Sequence, residues 1–256
     1  GKVFEGLRKH FELKLPFVAY RKPEATSVNA FLQKENTLFT TDDFTESGFV
    51  FAPFDDHKKA ILIPEEASEK ITLETSEFSS EITDPQNIPA TSEEKADARE
   101  KHLSLVEKGL ERLTSGELEK VVLSRKEELE ISQADPVELF KGLLSTYPTA
   151  FVYLWYNPKT GCWLAATPET LLKVEGSRFK TMALAGTQKF QGSLDVKWGE
   201  KEKQEQQFVT DSILENLEKV GVNSGGVERS EVYTAKAGGL LHLKTDMFEI
   251  LQEPNA

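Results

Sequence analysis

The sequence contains very little cysteine and histidine. Its 256 residues include one cysteine and four histidines. A single thiol excludes an internal disulfide and a zinc site built from cysteines, and Cys162 lies in an apolar run that predicts a buried, unreactive side chain. The histidines are scattered and no two stand at the helical i, i+4 spacing, so we do not expect a histidine-rich metal site.

Long apolar runs and an excess of positive charge are also lacking. No apolar run approaches the ~20 residues that a membrane-spanning helix needs, and residues 1–16 mix charged with apolar side chains, unlike a secretory signal. We therefore expect a cytoplasmic protein that does not bind membranes. The net charge of -12 opposes binding to nucleic acid. An anionic ligand would need a few basic side chains or a divalent cation to reverse the local field.

Predicted helices and strands alternate along the chain. Apolar residues 151–156 and 162–166 flank a turn containing Asn, Pro and Gly, a pattern that predicts an antiparallel hairpin. Helical patterns precede and follow this hairpin, so we predict an α+β fold with helices packed outside antiparallel sheets. Further strands are predicted at 178–184 and on both sides of Gly238-Gly239.

The acidic stretch 65–100 predicts an exposed connection. It carries eleven acidic residues against three basic ones and has two prolines near its middle. We place a boundary near residue 90. Residues 1–90 would then be a variable N-terminal region that contributes strands to the fold, and residues 91–256 would belong to the main domain.

Three helices are predicted beyond this connection. Thr91 and Glu94 have capping-box spacing before the first helix, the second begins with Asp135 as N-cap followed by proline, and the third covers residues 200–220. The apolar stripe of the first helix is expected to comprise Leu103, Val106, Leu110 and Leu113.

Two residues are candidates for acid–base chemistry. Lys120 precedes the apolar residues 121–123, which predict a central strand, and partial burial would lower the lysine pKa. A lysine whose ammonium reaches solvent at a strand start would explain the same pattern. Glu169 follows strand 162–166 in a Thr-Pro-Glu sequence, where apolar surroundings would raise a carboxyl pKa. A helical first turn, with the glutamate complementing the helix dipole, is the alternative.

Two further segments suggest a ligand site. Residues 184–187, Leu-Ala-Gly-Thr, end a predicted strand, where glycine permits close approach of a ligand or simply a turn. In the third helix, Glu202 and Glu205 continue the apolar stripe that includes Val209. Buried carboxylates require a partner, and hard oxygen ligands favour Mg²⁺ over zinc. Complementation of the helix dipole at an exposed end would equally explain these acids.

Five segments in this order resemble the signature of the chorismate-utilising enzymes. They are residues 120–125 (Lys-Val-Val-Leu-Ser-Arg), 166–172 (Ala-Thr-Pro-Glu-Thr-Leu-Leu), 184–187, 201–206 (Lys-Glu-Lys-Gln-Glu-Gln) and 242–245 (His-Leu-Lys-Thr). Each motif alone is unspecific, but five in the same order are specific. Lys120 and the Leu-Ala-Gly-Thr segment resemble the isochorismate synthase branch, which serves menaquinone or siderophore synthesis.

The resemblance implies a division of roles among these residues. Lys120 would deprotonate the water that attacks C2 of chorismate, and Glu169 would protonate the departing C4 hydroxyl. Glu205, assisted by Glu202, would hold Mg²⁺ against a substrate carboxylate. The substrate contacts implied by the resemblance are Ala185, Gly186, Thr187, His242 and Thr245.

The chain departs from the family pattern in two respects. Gln206 stands where the family often has histidine, and glutamine cannot titrate, so we give it no role in proton transfer. The family's C-terminal carboxylate clamp and further metal-binding glutamates have no counterpart before Ala256. From this we expect a fold incomplete at the C-terminus, a truncated domain from residue 91, and little or no turnover by the 256-residue chain.

Three alternatives stay open. Salicylate synthase would share the water-activating lysine and add elimination of pyruvate, and anthranilate synthase component I would instead use ammonia. A non-catalytic fragment is the alternative of another class, and its exposed sheet edges would favour a homodimer.

Overall fold

The computed structural model describes residues 2–55, 57–74, 76, 90–91, 97–131 and 135–251. Contacts between Cα atoms divide the chain into a larger unit, residues 1–86 with 135–256, and a smaller unit, residues 87–134.

Helices and strands alternate through the described residues. In chain order these are α1 (Lys2–Glu12), β1 (Phe17–Arg21), β2 (Ser27–Gln33), β3 (Phe39–Thr41), β4 (Gly48–Phe51), β5 (Ala60–Pro64), β6 (Ser68–Glu74), β7 (Ala90–Thr91), α2 (Ala98–Thr114), β8 (Glu130–Ile131), α3 (Pro136–Thr146), β9 (Phe151–Asn157), β10 (Gly161–Thr167), β11 (Lys173–Glu175), β12 (Arg178–Lys189), α4 (Glu200–Lys219), a 3₁₀ turn (Ser224–Gly226), β13 (Glu228–Arg229), β14 (Tyr233–Ala237) and β15 (Leu240–Ile250).

The first sheet of the larger unit has five antiparallel strands in the order β10-β9-β1-β2-β6. Helices α1 and α3 bury their apolar stripes in one core with it, contributing Phe4 and Phe140 against Phe17 and Leu154. Helix α3 begins as predicted, because the Asp135 carboxylate accepts a hydrogen bond from the Val137 N–H at 2.8 Å.

A cluster of aromatic side chains separates this sheet from a three-stranded sheet, β3-β5-β4. The rings of Phe51 and Trp155 stack with their centroids 4.4 Å apart. Trp155 is fully buried, whereas its hairpin partner Trp163 on edge strand β10 is 51% exposed. Cys162 is also exposed, so the prediction of a buried thiol is wrong, although neighbouring atoms desolvate the sulfur and raise its pKa to about 11.

The second sheet carries the family motifs of the C-terminal half. Its strands follow the order β11-β12-β15-β13, and β14 also pairs with β15. Helix α4 packs across it, with Val209 and Ile213 against a core that contains Phe179 and Met247. The predicted α+β architecture, with antiparallel sheets and helices outside them, is confirmed.

Several predicted elements are confirmed in detail. The hairpin at 151–166 forms in register, with Trp163 opposite Trp155. The tail forms two strands around Gly238-Gly239, as expected. Strands from both sides of residue 90 occur in the described fold, and the boundary proposed there remains a prediction.

The smaller unit differs from expectation. Its strands β7 and β8 pair antiparallel, and α2 begins at Ala98 after Asp97, so Thr91 is not its N-cap; Glu94 lies outside the described residues. Leu103 and Leu110 of the predicted apolar stripe are exposed.

The predicted central strand at 120–123 is wrong. Residues 120–129 form neither helix nor strand, since among the described residues no strand pairs with them. Val121 and Leu123 lie against Gly109 of α2, where a methyl group would stand 3.4 and 3.5 Å from their side chains. Val122 between them is 78% exposed. The segment is therefore half-buried on one side and exposed on the other.

Candidate active site

The Leu-Ala-Gly-Thr segment forms a bulge in β12. Ala183 pairs with Thr245 and Ala185 with Leu243, but the next pair joins Gln188 to Leu241. Gly186, with φ of 72°, and Thr187 together lie opposite the single residue His242, so β12 has one extra residue here. A positive φ favours glycine, and a bulge re-aims the side chains beside it. The predicted turn thus lies inside a paired strand.

Gly186 also lets the first turn of α4 approach the sheet. A methyl group at this position would lie 3.2 Å from Glu202 Cβ and 3.5 Å from the Trp198 ring. Such a contact is tight, and the helix backbone rather than a flexible chain end would have to move. The motif glycine and the helix with the predicted metal ligands therefore meet directly.

His242 joins this junction from β15. Its Nδ1 lies 2.9 Å from the Gly186 carbonyl oxygen and 3.3 Å from Thr187 Oγ1. Because a carbonyl can only accept, Nδ1 donates the hydrogen bond to Gly186. The structure thus brings together three of the predicted substrate contacts, Gly186, Thr187 and His242, and Ala185 is buried beside them.

Thr245 lies on the other face of β15. Strand side chains alternate between faces, so residues 242 and 245 point in opposite directions. Thr245 is 4% exposed, and its hydroxyl accepts a hydrogen bond from Gln206 Nε2 at 2.8 Å. The Thr245 hydroxyl thus has a partner within the protein. Its contact with substrate remains a prediction.

The two predicted metal ligands, Glu202 and Glu205, are half-buried in the first two turns of α4. At i, i+3 their side chains are neighbours on the helix surface. Among the described residues no three acidic, histidine or cysteine side chains cluster as a metal site. Mg²⁺ commonly takes one or two carboxylates and completes its shell with water and substrate oxygens. Two glutamates therefore fit Mg²⁺ and fit zinc poorly.

Glu169 lies in the turn after β10 and is exposed. Its N–H donates to Thr167 Oγ1 at 3.3 Å, but no helix follows, so the alternative of a helical first turn is wrong. The apolar surroundings expected from the sequence are also missing, because the neighbouring Leu171 and Leu172 are exposed. Its role as the general acid remains a prediction.

Lys120 belongs to the smaller unit, where it is half-buried at the start of the irregular segment 120–129. Glu169 belongs to the larger unit. The expectation that these two side chains face each other across one substrate ring remains a prediction.

The face of β15 that carries His242 also carries a charged network that sequence reasoning missed. Asp246 accepts a hydrogen bond from the Tyr233 hydroxyl at 2.7 Å and forms ion pairs of 3.3 Å with Lys180 and Lys244. Burial would raise the Asp246 pKa, but the hydrogen bond from Tyr233 and the lysine charges outweigh it and hold this pKa below its ordinary value. The sequence could have predicted this network, because His242, Lys244 and Asp246 alternate along the strand and therefore lie on one face.

A cavity of about 360 Å³ lies on the opposite flank of α4 from Glu205. Its lining residues are Trp198, Lys203, Gln206, Gln207, Val232, Tyr233, Thr234 and Leu243. None of the predicted site residues lines it. Polar groups of this lining already bond within the protein, for example Trp198 Nε1, which donates to Thr234 Oγ1 at 3.0 Å.

Comparison with known proteins identifies the class. Residues 49–251 match the family described as chorismate binding enzyme, so the chain belongs to the chorismate-binding enzymes. The fold is similar to that of the Bacillus anthracis protein DhbC, named a 2,3-dihydroxybenzoate-specific isochorismate synthase. The TM-score is 0.73 at 18% identity, over 99% of this chain and 72% of that one. MenF, the menaquinone-specific isochorismate synthase of Escherichia coli, gives 0.64 at 17% identity, over 94% and 66%.

Curated relatives in sequence carry a different name. Anthranilate synthase component 1 of Archaeoglobus fulgidus is 26% identical over 160 residues, which are 60% of this chain and 38% of that protein. The protein of the same name from Thermococcus kodakarensis is 34% identical over 88 residues, 34% of this chain and 20% of its own length. The chain thus spans well under half the length of these relatives. Within the described residues, no helix has the length and apolar character needed to cross a membrane.

Proposed function

We propose that the protein is an isochorismate synthase, which adds water at C2 of chorismate and releases the C4 hydroxyl as water. The observation that carries this proposal is the junction of three motifs at one place. The β12 bulge contacts the other two motifs: the Gly186 carbonyl accepts a hydrogen bond from the histidine of β15, and the Gly186 Cα lies against Glu202 in the carboxylate-bearing first turn of α4. Membership of the chorismate-binding family supplies the substrate class.

Lys120 and Glu169 carry the proton transfers in this proposal, and both roles rest on the resemblance. The lysine amine takes a proton from the attacking water, while the glutamic acid gives a proton to the departing hydroxyl. One water enters and one leaves, so the reaction balances. A base and an acid on opposite faces of one ring require environments that separate their pKa values.

Glu205 and Glu202 would hold Mg²⁺, which supplies electrostatic stabilisation to a substrate carboxylate. On the chain itself, His242 and Thr187 orient the substrate beside the bulge. Lys244 lies on the His242 face of β15 and adds positive charge there, which an anionic substrate needs in a protein of net charge -12. Burial disfavours the charged form of this ammonium group, but the hydrogen bond that it donates to the Tyr233 oxygen and the charge of Asp246 outweigh burial and raise its pKa, so it stays protonated.

A second candidate is anthranilate synthase component 1, because relatives of that name match the sequence. Lys120 argues for water rather than ammonia as the nucleophile, since the isochorismate synthase branch has a lysine in this motif. Salicylate synthase shares the lysine and is distinguished from an isochorismate synthase by its product, salicylate. A fragment that self-associates through the edges of β10 or β6 is the candidate outside catalysis.

The test is a product assay with chorismate and Mg²⁺, with and without ammonia. Isochorismate alone is expected; fluorescent salicylate or ammonia-dependent anthranilate would replace the proposal by the corresponding alternative. The assay compares this chain with any longer chain that the reading frame encodes, which also tests the expected low turnover of the 256 residues. Light scattering on the same samples tests self-association.

Matched variants test the residue roles. In whichever chain shows turnover in the product assay, Lys120→Ala and Glu169→Gln are each expected to lower kcat by about 10²-fold or more, the typical contribution of a general base or acid. Lys126→Ala, in the same irregular segment, and Glu175→Gln, an exposed strand residue, are the controls. Equal activity of the test and control variants would remove Lys120 and Glu169 from the mechanism. The proposed setting is the cytoplasm, with isochorismate supplied to menaquinone or siderophore synthesis.

A further inference from the structure

The first two turns of α4 have few means of attachment to the rest of the protein. The N-cap Gly199 has no side chain to cap the helix, and every residue from 200 to 207 is polar. Apolar packing begins one turn later, where Val209, Ile213, Leu214 and Leu217 contact the core of the second sheet. Glu202 and Glu205 therefore lie on the part of the helix that apolar packing does not fix.

Polar side chains are the most deeply buried residues of this helix. Gln206 is 2% exposed and Thr210 is 5% exposed. Gln206 Nε2 donates one hydrogen bond to Thr245 Oγ1 at 2.8 Å and a second to Thr210 Oγ1 at 3.0 Å. Both N–H bonds of the amide are thus used, one of them to tie α4 to β15.

We propose that Gln206 and Thr245 are a positioning pair that fixes the first two turns of α4 on β15, and thereby sets where Glu202 and Glu205 stand for Mg²⁺. The metal part of this inference rests on the proposed function. Gln206 directly follows Glu205 and stands one helical turn after Glu202, so its tether limits both carboxylates. The pair acts through these glutamates, and Thr245 has a role away from the substrate.

The geometry explains why these two residue types occur together. A glutamine that reaches from a helix to a strand needs an acceptor on the strand face that meets the helix, and Thr245 provides one on the face opposite His242. On the other side of Glu202, Gly186 allows close contact with the sheet. The first turns are held by a steric contact at Gly186 and by a polar contact at Thr245.

The test measures Mg²⁺ binding by isothermal titration, with Mn²⁺ as a spectroscopic probe, on the full chain. Gln206→Leu and the near-isosteric Thr245→Val should each weaken metal binding by about tenfold or more, as loss of a residue that orients a metal ligand typically does. The double variant should lose no more than Gln206→Leu alone, because Thr245→Val removes a hydrogen bond that Gln206→Leu has already removed. Thr245→Ser keeps the hydroxyl and should restore binding.

Gln207→Leu is the matched control, since Gln207 is the exposed neighbour and its amide donates to Asp211 of its own helix. Hydrogen exchange gives a second measurement. Gln206→Leu and Thr245→Val should speed exchange at residues 203–207 and leave residues 213–219 unchanged. Unchanged exchange, or faster exchange with unaltered metal affinity, would overturn the positioning pair. If the unmodified chain binds no metal, the Mg²⁺ part of the proposed function fails, and hydrogen exchange alone decides on the pair.

Discussion

Gly186→Ala tests whether the glycine of the bulge is required by its contact with α4. Two costs are expected. A φ of 72° is unfavourable for alanine by about 1–2 kcal/mol, and a methyl group 3.2 Å from Glu202 Cβ adds an overpacking cost of about 1–3 kcal/mol. The alanine also restricts the unfolded chain, which returns about 0.4–1 kcal/mol. The expected net loss of unfolding free energy is about 1–5 kcal/mol.

Gly192→Ala separates the two costs. Gly192 also has a positive φ, 94°, but a methyl group there would meet no atom within 4 Å. Both variants share the cost of a positive φ and the gain from restricting the unfolded chain. The difference between their unfolding free energies therefore measures the contact with the helix. We expect Gly186→Ala to be less stable by about 1–3 kcal/mol in urea unfolding.

Activity provides the second measurement for the same pair. In whichever chain shows turnover in the product assay, Gly186→Ala should lower chorismate turnover because the first turn of α4 must move away from the sheet, whereas Gly192→Ala should retain it. Equal stabilities for the two variants would refute the close approach of α4 to the bulge. Equal stabilities with unequal activities would mean that Gly186 serves the ligand directly.

Three further predictions concern other parts of the fold. Gly238→Ala should destabilise the protein by about 2–4 kcal/mol, since φ is 57° and a methyl group would lie 2.7 Å from the Tyr147 ring; Gly239→Ala, with open space, should change stability by less than about 0.5 kcal/mol. Cys162 alkylation should rise about tenfold per pH unit up to about pH 11, and a plateau near pH 9 would contradict the raised pKa. Asp246 has a lowered pKa, so its contribution to stability is complete above its unfolded pKa and is lost as the pH falls below about 4. The stability difference between the unmodified protein and Asp246→Asn should shrink over that range in acid titrations, and a constant difference would count against the network.

Local signals predicted the elements whose partners are near in sequence. The hairpin at 151–166 and the start of α3 at Asp135 follow from turn and capping chemistry, which acts over a few residues. The apolar run at 120–123 misled because a strand exists only where another strand pairs with it, and no residue type specifies that partner.

Within the site, motif order gave the residues but not their orientation. Thr245 and His242 belong to one motif, yet strand alternation separates them, and Thr245 bonds to Gln206 instead. A stripe drawn through the apolar residues of α4 overlooked Gln206, which is 2% exposed. Buried amides are invisible to a search for apolar periodicity, because their burial depends on a partner from a distant strand.

The position of β1 in the first sheet affects how the protein is made. β1 lies between β2 and β9. It can pair with β2 soon after synthesis, but its other side stays unpaired until β9, encoded far downstream, has been made. At ribosomal speeds of about 5–20 residues per second, that wait is on the order of ten seconds. During it, the apolar strand Phe17–Arg21 offers unsatisfied backbone groups to any nascent neighbour. Slow decoding downstream would lengthen this vulnerable interval, and chaperone dependence should be greatest before residue 157 leaves the exit tunnel.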